Sequence, residues 1–269
     1  MSGGAAPVLW PAEALWEAVQ PLLPGFTVEV LPEIDSTNSE LMRRARAGQT
    51  EPILLVAQRQ SAGRGRMGRV WEDAAPAGST GPAALAFSLA LAYSPQDWAG
   101  LSLAVGLTVA QSLHPALRIK WPNDVWWEQR KLAGILIETA NVGALRYVVI
   151  GVGVNIVRPA AHGFSVAPAG LEELLPGVDA PGALARIVLP LVHTVQRFET
   201  QGFAPFQADF LARDLLRGET VQCSDGVTGV ARGVDAGGAL LLRTADGVKK
   251  IVSAEVSVRP VAHSAANPP

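Results

Sequence analysis

One loop constrains this chain more than any other stretch. Gln58-Arg59-Gln60-Ser61-Ala62-Gly63-Arg64-Gly65-Arg66-Met67-Gly68-Arg69-Val70-Trp71 follows Ile53–Ala57, a β-branched and apolar run that reads as a buried strand. Gly63, Gly65 and Gly68 free the backbone for φ > 0 and for close approach to a ligand. Arg64, Arg66 and Arg69 add forked, permanent cations, a geometry suited to phosphate or carboxylate. The functional expectation is an anion held by a strand-end loop. The plainer alternative is a flexible Arg/Gly surface turn.

The three glycines also satisfy G-x-G-x-x-G, but a dinucleotide site needs a helix straight after the loop and an acidic residue about 20 positions on. Here the loop leads into the Pro/Gly-rich stretch 74–83, and no Asp or Glu occurs between Asp73 and Asp97. No Gly-Lys-Ser/Thr is present, which excludes a P-loop.

The 269 residues suffice for one large domain and a small one. A net charge of −2 gives no bulk field favouring nucleic acid or an anionic membrane. No apolar stretch is long enough for a membrane span, and no basic residue precedes Arg43 to start a signal peptide. The single cysteine, Cys223, forms no internal disulfide and suits a reducing cytoplasm. The four histidines show no metal-ligand spacing.

In chain order, Pro11–Leu23 predicts a short helix and Phe26–Leu31 a strand. Thr37 and Glu40 fit a capping box for a helix to about Ala47, stopped by Gly48. The polar run Asp35–Ser39 reads either as that cap alone or as hydroxyls and free N–H groups offered to a ligand. Leu85–Ala92 predicts a strand and Trp98–Leu113 a buried helix ended by Pro115. Arg118–Trp127 and Lys131–Glu138 read as a hairpin around Glu128-Gln129-Arg130, and Leu145–Ile150 as a third strand running into Gly151–Asn155. Only four lysines exist, and two of them, Lys120 and Lys131, flank that hairpin. Lys131 opens an apolar strand, where a partly desolvated ammonium needs an anionic partner. Gly182–Gln201, interrupted at Pro190, and Phe203–Leu216 read as helices. From Arg217 short strands separated by turn signals predict a small β-barrel. The expected organisation is α+β: a mixed sheet packed with helices over 1–216, with residues 1–25 a short extension, then an SH3-like barrel over 217–261 and a disordered tail over 262–269.

Four separated stretches together resemble the biotin protein ligase family. They are Asp35-Ser36-Thr37-Asn38, the run from Gln60 to Trp71, Lys120-Trp121-Pro122-Asn123-Asp124 with Arg130-Lys131-Leu132-Ala133-Gly134-Ile135, and Gly151-x-Gly153-x-Asn155. The resemblance covers roughly Val28 to Arg259 and includes the terminal β unit. It implies activation of biotin by ATP to biotinyl-5′-AMP, then transfer to a lysine of the carrier domain of a biotin-dependent carboxylase. It implies that Arg64 and Arg66 hold the carboxylate and α-phosphate, and that Lys131 bridges both. Ser36, Thr37, Asn38 and Gln60 would bind the ureido head, with Gly63, Gly65, Gly134 and Gly151 shaping the biotin pocket. Arg69, Trp71, Asn155 and Phe164 would contact the nucleotide, Phe164 standing where the family's adenine-stacking tryptophan is missing. Asp124 and Asn155 would coordinate Mg²⁺. Residues 73–84 are an insertion after Trp71.

Some members of the family carry a DNA-binding segment ahead of these motifs. The residues before Asp35 contain no Lys or Arg, so no DNA partner is expected. The expected state is a monomer or weak homodimer in the cytoplasm. The alternatives are a biotin-responsive repressor, a lipoate or octanoate ligase-transferase of the same fold, and an inactive ligand-binding module. The Gly63–Arg69 loop is expected to be mobile in the free protein and to order over the adenylate.

Overall fold

The computed structural model describes residues 8–71, 81–160, 166–252 and 258–260. Its framework is a seven-stranded sheet of β1 (Thr27–Leu31), β2 (Ile53–Ala57), β3 (Ala84–Ala92), β4 (Arg118–Lys120), β5 (Asp124–Trp127), β6 (Arg130–Val142) and β7 (Leu145–Asn155). The spatial order is β1-β2-β3-β7-β6-β5-β4. Only β1 and β2 pair in parallel; the other neighbours are antiparallel.

Period-two alternation decides which side chains face which layer. Leu54, Val56, Leu85, Phe87, Leu89, Val148, Ile150, Val152 and Val154 point to one face, where they join the core under α3 (Leu101–Leu113) and α4 (Ala180–Gln201). Leu55, Ala90 and Val149 point the other way and pack on Leu41, Met42 and Ala45 of α2 (Thr37–Arg46). Helix α1 (Ala12–Val19), from the predicted extension, buries Leu15 and Val19 in the larger core, so it is an integral part of this layer.

Four expectations change. The cap of α2 is Ser36, whose hydroxyl accepts from the Ser39 N–H (3.4 Å), and not Thr37 with Glu40. Glu40 pairs with Arg43 and Arg44 instead, while Thr37 turns inward. The predicted hairpin is a double one: Arg118–Lys120 and Asp124–Trp127 are separate strands that pair with each other around Trp121-Pro122-Asn123. Pro190 does not interrupt α4. It lies on the exposed face, where a carbonyl that loses its N–H partner is open to solvation. The helix expected over Phe203–Leu216 is a 3₁₀ turn, Ala204–Phe206, followed by α5 (Gln207–Arg213), with Pro205 at the first turn.

The remaining strands, β8 (Thr220–Cys223), β9 (Thr228–Val234), β10 (Leu240–Thr244), β11 (Gly247–Ile251) and β12 (Val258–Pro260), form an antiparallel sheet in the order β11-β10-β9-β8-β12. The expected small β unit is present. Its ladder does not close into a barrel among the described residues. Its apolar side chains run continuously into the larger core. Residues 262–269, expected to be disordered, lie outside the described residues.

Asp214 sits at the junction of the two sheets. Its backbone bridges to Ile119 in β4, and its Oδ1 accepts from the Leu216 N–H (2.9 Å). Its other oxygen is buried with no hydrogen-bond partner among the described residues. Burial pushes the carboxyl from its ordinary 3.8 up to about 6, against weaker lowering by backbone N–H groups and Arg217. Between those two values the folded chain holds a proton that the unfolded chain releases, so stability falls as pH rises through that window. Asp214→Asn keeps the acceptor for Leu216. It is expected to flatten this slope and to gain about 1–3 kcal/mol at pH 7. Denaturant unfolding between pH 4 and 7 checks it. An unchanged slope would assign the titration to another group.

Candidate active site

Beside the start of α2 the side chains on the sheet face become small. Along β7 the positions facing α2 are Val149, Gly151, Gly153 and Asn155. The paired rows run Ser88–Gly151–Leu136 and Ala86–Gly153–Gly134–Asp124 across β3, β7, β6 and β5. Small residues stacked in register leave a cavity of about 540 Å³ above the sheet. Its walls are the start of α2, the Gly/Arg loop, the β4–β5 turn and the 166–168 segment.

The loop folds back on itself. Gly65 N–H donates to the Arg69 carbonyl (2.7 Å) and Trp71 N–H to the Gly63 carbonyl (2.9 Å), with a single turn at Arg66–Gly68 as the tip. A Cβ on Gly63 would overlap the Trp71 carbonyl, and Gly68 has φ +70°, so both positions need glycine. Met67 takes φ 57° with an ordinary side chain and is exposed, a local strain at the tip.

One end of the cavity is a polar nest. Thr37 N–H donates to Gln60 Oε1 (2.8 Å), which also accepts from the Thr37 hydroxyl (3.2 Å). Ser88, a fully buried hydroxyl in an otherwise apolar strand, has two acceptors in reach, Asn38 Oδ1 (2.6 Å) and Thr37 Oγ1 (2.7 Å). Asn38 Nδ2 donates to Glu138 (3.0 Å) and to the Leu136 carbonyl (3.2 Å). Asp35 accepts a forked pair from Arg43 (2.7 and 2.9 Å), which holds its carboxyl down at about 2. That pairing keeps the turn before α2 in place.

A Cβ on Gly151 would overlap Asn38 Oδ1, and the Asn38 amide is held on both sides and has little room to give. Gly151→Ala is therefore expected to weaken binding of a head group in this nest by about tenfold or more. Isothermal titration reads the effect; unchanged affinity would place the head group elsewhere in the cavity.

The other end is cationic. Lys131 Nζ meets Asp124 Oδ1 at 2.7 Å, and lies 5.9 Å from the centre of the Trp71 ring. That indole rests on Gly153, where a Cβ would come within 2.5 Å of it. Arg66 reaches Asn123 Oδ1 (3.3 Å). Burial pulls the Arg66 guanidinium below its ordinary value, and Asp124 partly restores it. Arg64 turns away from this group: it forks onto Glu138 (3.0 and 3.4 Å) and reaches Ser39 Oγ (3.1 Å). Lys120 is buried, donates to the Val258 carbonyl of the small sheet (2.8 Å), and sits 5.1 Å from the Trp126 ring. Asn155 donates its amide to the carbonyls of Lys131 (3.4 Å) and Ala169 (3.1 Å), pinning the 166–169 segment to β6.

Ser36, Thr37, Asn38, Gln60, Arg64, Gly65, Arg66, Arg69, Trp71, Asp124, Lys131, Gly134, Gly151 and Asn155 all line this one cavity. Gly63 lies just behind it in the folded loop. Phe164 and residues 73–80 fall outside the described residues. Residues given no role from the sequence are Ser88, Trp126, Glu138, Pro168 and Val258, together with Asn123, quoted there only as part of a motif, and the buried role of Lys120. Of these, Ser88 carried a signal, a lone hydroxyl in an apolar run.

Among the described lining residues, five cations face one carboxylate, although the whole chain is net negative. That balance suits two anionic reactants and is wrong for two cations.

Comparison with known proteins agrees with this chemistry. The profile of the biotin/lipoate A/B protein ligase family matches residues 30–155, and that of the biotin protein ligase C-terminal domain matches residues 218–259. The bifunctional ligase/repressor BirA of Escherichia coli is 34% identical over 248 residues, 88% of this chain and 75% of that protein. The biotin–[acetyl-CoA-carboxylase] ligase of Mycobacterium tuberculosis is 34% identical over 231 residues, 80% of this chain and 82% of that one. The solved biotin protein ligase of Aquifex aeolicus, in complex with biotin and ATP, superposes with a TM-score of 0.74 at 28% identity, covering 87% of this chain and 99% of that chain. With its cavity, its cation balance and these relatives in view, the chain belongs to the biotin protein ligase family.

Proposed function

We propose that this protein uses ATP to activate biotin as biotinyl-5′-AMP and then transfers biotin to a lysine of a carboxyl carrier domain. The observation that carries the reading is the cavity itself: a neutral hydrogen-bonding nest at one end and a cluster of cations at the other. Biotin matches that division, with an uncharged ureido head and a carboxylate tail. The nest of Ser36, Thr37, Asn38 and Gln60 supplies both donors and acceptors for the head.

At the cationic end two anions must be brought together. Lys131 and Arg66 lower the repulsion between the biotin carboxylate and the α-phosphate and hold them in line for attack. The carboxylate oxygen bonds to the α-phosphorus as the bond to pyrophosphate breaks. In the second step the acceptor amine attacks the activated carbonyl and AMP leaves. Arg69 and Trp71 border the nucleotide side in this reading.

Magnesium enters this reading only with the nucleotide. No group of three His, Cys, Asp or Glu side chains among the described residues is placed to hold a metal ion. Mg²⁺ needs only one or two protein carboxylates when phosphates complete its shell. Asp124 is the carboxylate available, shared with Lys131, and Asn155 would contribute through its Oδ1. The ion would neutralise phosphate charge there.

The division at 216/217 into a ligand-binding unit and a small β unit is part of the same proposal. Lys120, held by the Val258 carbonyl, ties the two together at the cavity. The carrier domain of a biotin-dependent carboxylase is the partner proposed, and a cytoplasmic setting fits the single free, buried Cys223. No helix among the described residues is long and apolar enough to cross a membrane.

Pyrophosphate release on adding ATP and biotin tests the reading, with lipoate and octanoate as controls. Release is expected with biotin alone. Release with lipoate or octanoate but not biotin would move the chain to the lipoate branch of the fold.

A further inference from the structure

We propose that Glu138 is a positioning residue that couples the head-group nest to the Gly/Arg loop. The inference rests on reading the nest as the biotin head site. Glu138 lies on β6 two residues beyond Leu136, on the sheet face that carries the cavity, yet it does not line the cavity itself. Its two oxygens join groups that the chain separates widely. Oε1 accepts from Arg64 Nη2 (3.0 Å). Oε2 accepts from Asn38 Nδ2 (3.0 Å) and from Arg64 Nη1 (3.4 Å). One carboxylate oxygen is thus shared by the nest and by the root of the loop.

Two physical consequences follow. A carboxylate only accepts hydrogen bonds, so it dictates which way the Asn38 amide faces. With Nδ2 committed to Glu138 and the Leu136 carbonyl, Oδ1 must face Ser88 and Gly151. The charge also holds Arg64, which is half-exposed and whose other side-chain hydrogen bond among the described residues is the neutral contact with Ser39 Oγ. A ligand that fixes Asn38 therefore fixes Glu138, and through it Arg64 and the loop. Linkage makes the effect reciprocal: a loop held by Arg64 raises affinity in the nest by the same factor that the ligand steadies the loop.

The test compares wild type with Glu138→Gln and Glu138→Asp. Trypsin cleavage after Arg64, Arg66 and Arg69, mapped by mass spectrometry with and without biotin, reads the loop. Calorimetry reads biotin affinity, and initial rates read KM and kcat for adenylate formation. Wild-type cleavage is expected to slow at least about tenfold with saturating biotin. In Glu138→Gln that protection is expected to fall below about threefold, with the KM for biotin up about tenfold and kcat within about threefold. Glu138→Asp keeps the charge and is expected to recover part of both effects, which a purely structural loss would not do. Should Glu138→Gln fail to fold, the proposal stands or falls on whether Glu138→Asp lowers protection and affinity together.

Wild-type protein that binds biotin without protecting the loop would overturn this inference alone. So would a Glu138→Gln variant with unchanged protection and affinity. Wild-type protein that gives no binding heat with biotin would overturn the biotin reading and this inference with it.

Discussion

Lys131→Met is expected to slow formation of biotinyl-AMP by about 10²–10⁴-fold, the range for losing one preorganised charge contact in a partly closed site. The substitution keeps length and volume, so the change is one of charge. Lys131 is held from three directions. Its ammonium meets Asp124 at 2.7 Å, its backbone is clamped between Ala167 and Ala169 through bonds of 3.0 and 2.9 Å, and Trp71 lies over it. The cation is thus already in place when the two anions arrive. Methionine leaves Asp124, only 13% exposed, beside the incoming carboxylate without its ion-pair partner. Rapid-quench measurement of biotinyl-AMP reads the rate. Adding Asp124→Asn to the variant separates stability from chemistry: it is expected to restore any lost stability while leaving the rate low. A Lys131→Met protein that forms the adenylate at the wild-type rate would remove Lys131 from the mechanism.

Arg66→Gly is expected to raise the off-rate of biotinyl-AMP by about 10–10²-fold, more than it slows synthesis. Arg66 stands at the turn of the folded loop, reaches across the cavity to Asn123, and is partly buried. It ties the tip of the loop to the opposite wall, and the ligand's phosphate would lie beneath it. Glycine removes the contact and also loosens the backbone at a turn that already holds Met67 at positive φ. The adenylate is a mixed anhydride that water destroys, so retention protects it until the acceptor lysine comes. Leakage should appear as biotin on lysines of a bystander protein mixed into the reaction. If the variant keeps the adenylate as long as wild type and labels only the carrier domain, the loop is a static part of the wall.

The two arginines show how far reading by residue type extends. Arg64 and Arg66 sit two positions apart and were expected to share one role. In the fold they diverge, one to Glu138 and Ser39 at the polar end, the other to Asn123 at the cationic end. Spacing within a glycine-rich loop does not determine direction, because glycine removes the backbone preference that would have set it. The cap of α2 was misread for a related reason. Ser36 and Thr37 are equally good local candidates, and only the presence of Gln60 and Ser88, brought by β2 and β3, draws Thr37 inward.

The sequence by itself determined the elements whose signals are local: the apolar strands, the buried helix before Pro115, the turn-rich small sheet and the chemical character of the loop. Through the family resemblance it also named most of the cavity's polar side chains. Tertiary structure alone decided the cavity and its pairings. The cavity exists because small residues on β3, β7 and β6 fall into shared rows, and register between strands depends on the whole sheet. Lys131 with Asp124 and Glu138 with Asn38 and Arg64 are likewise contacts between separate elements. Local propensity acts over a few residues, whereas these partners lie up to about a hundred apart and meet only once the core has closed.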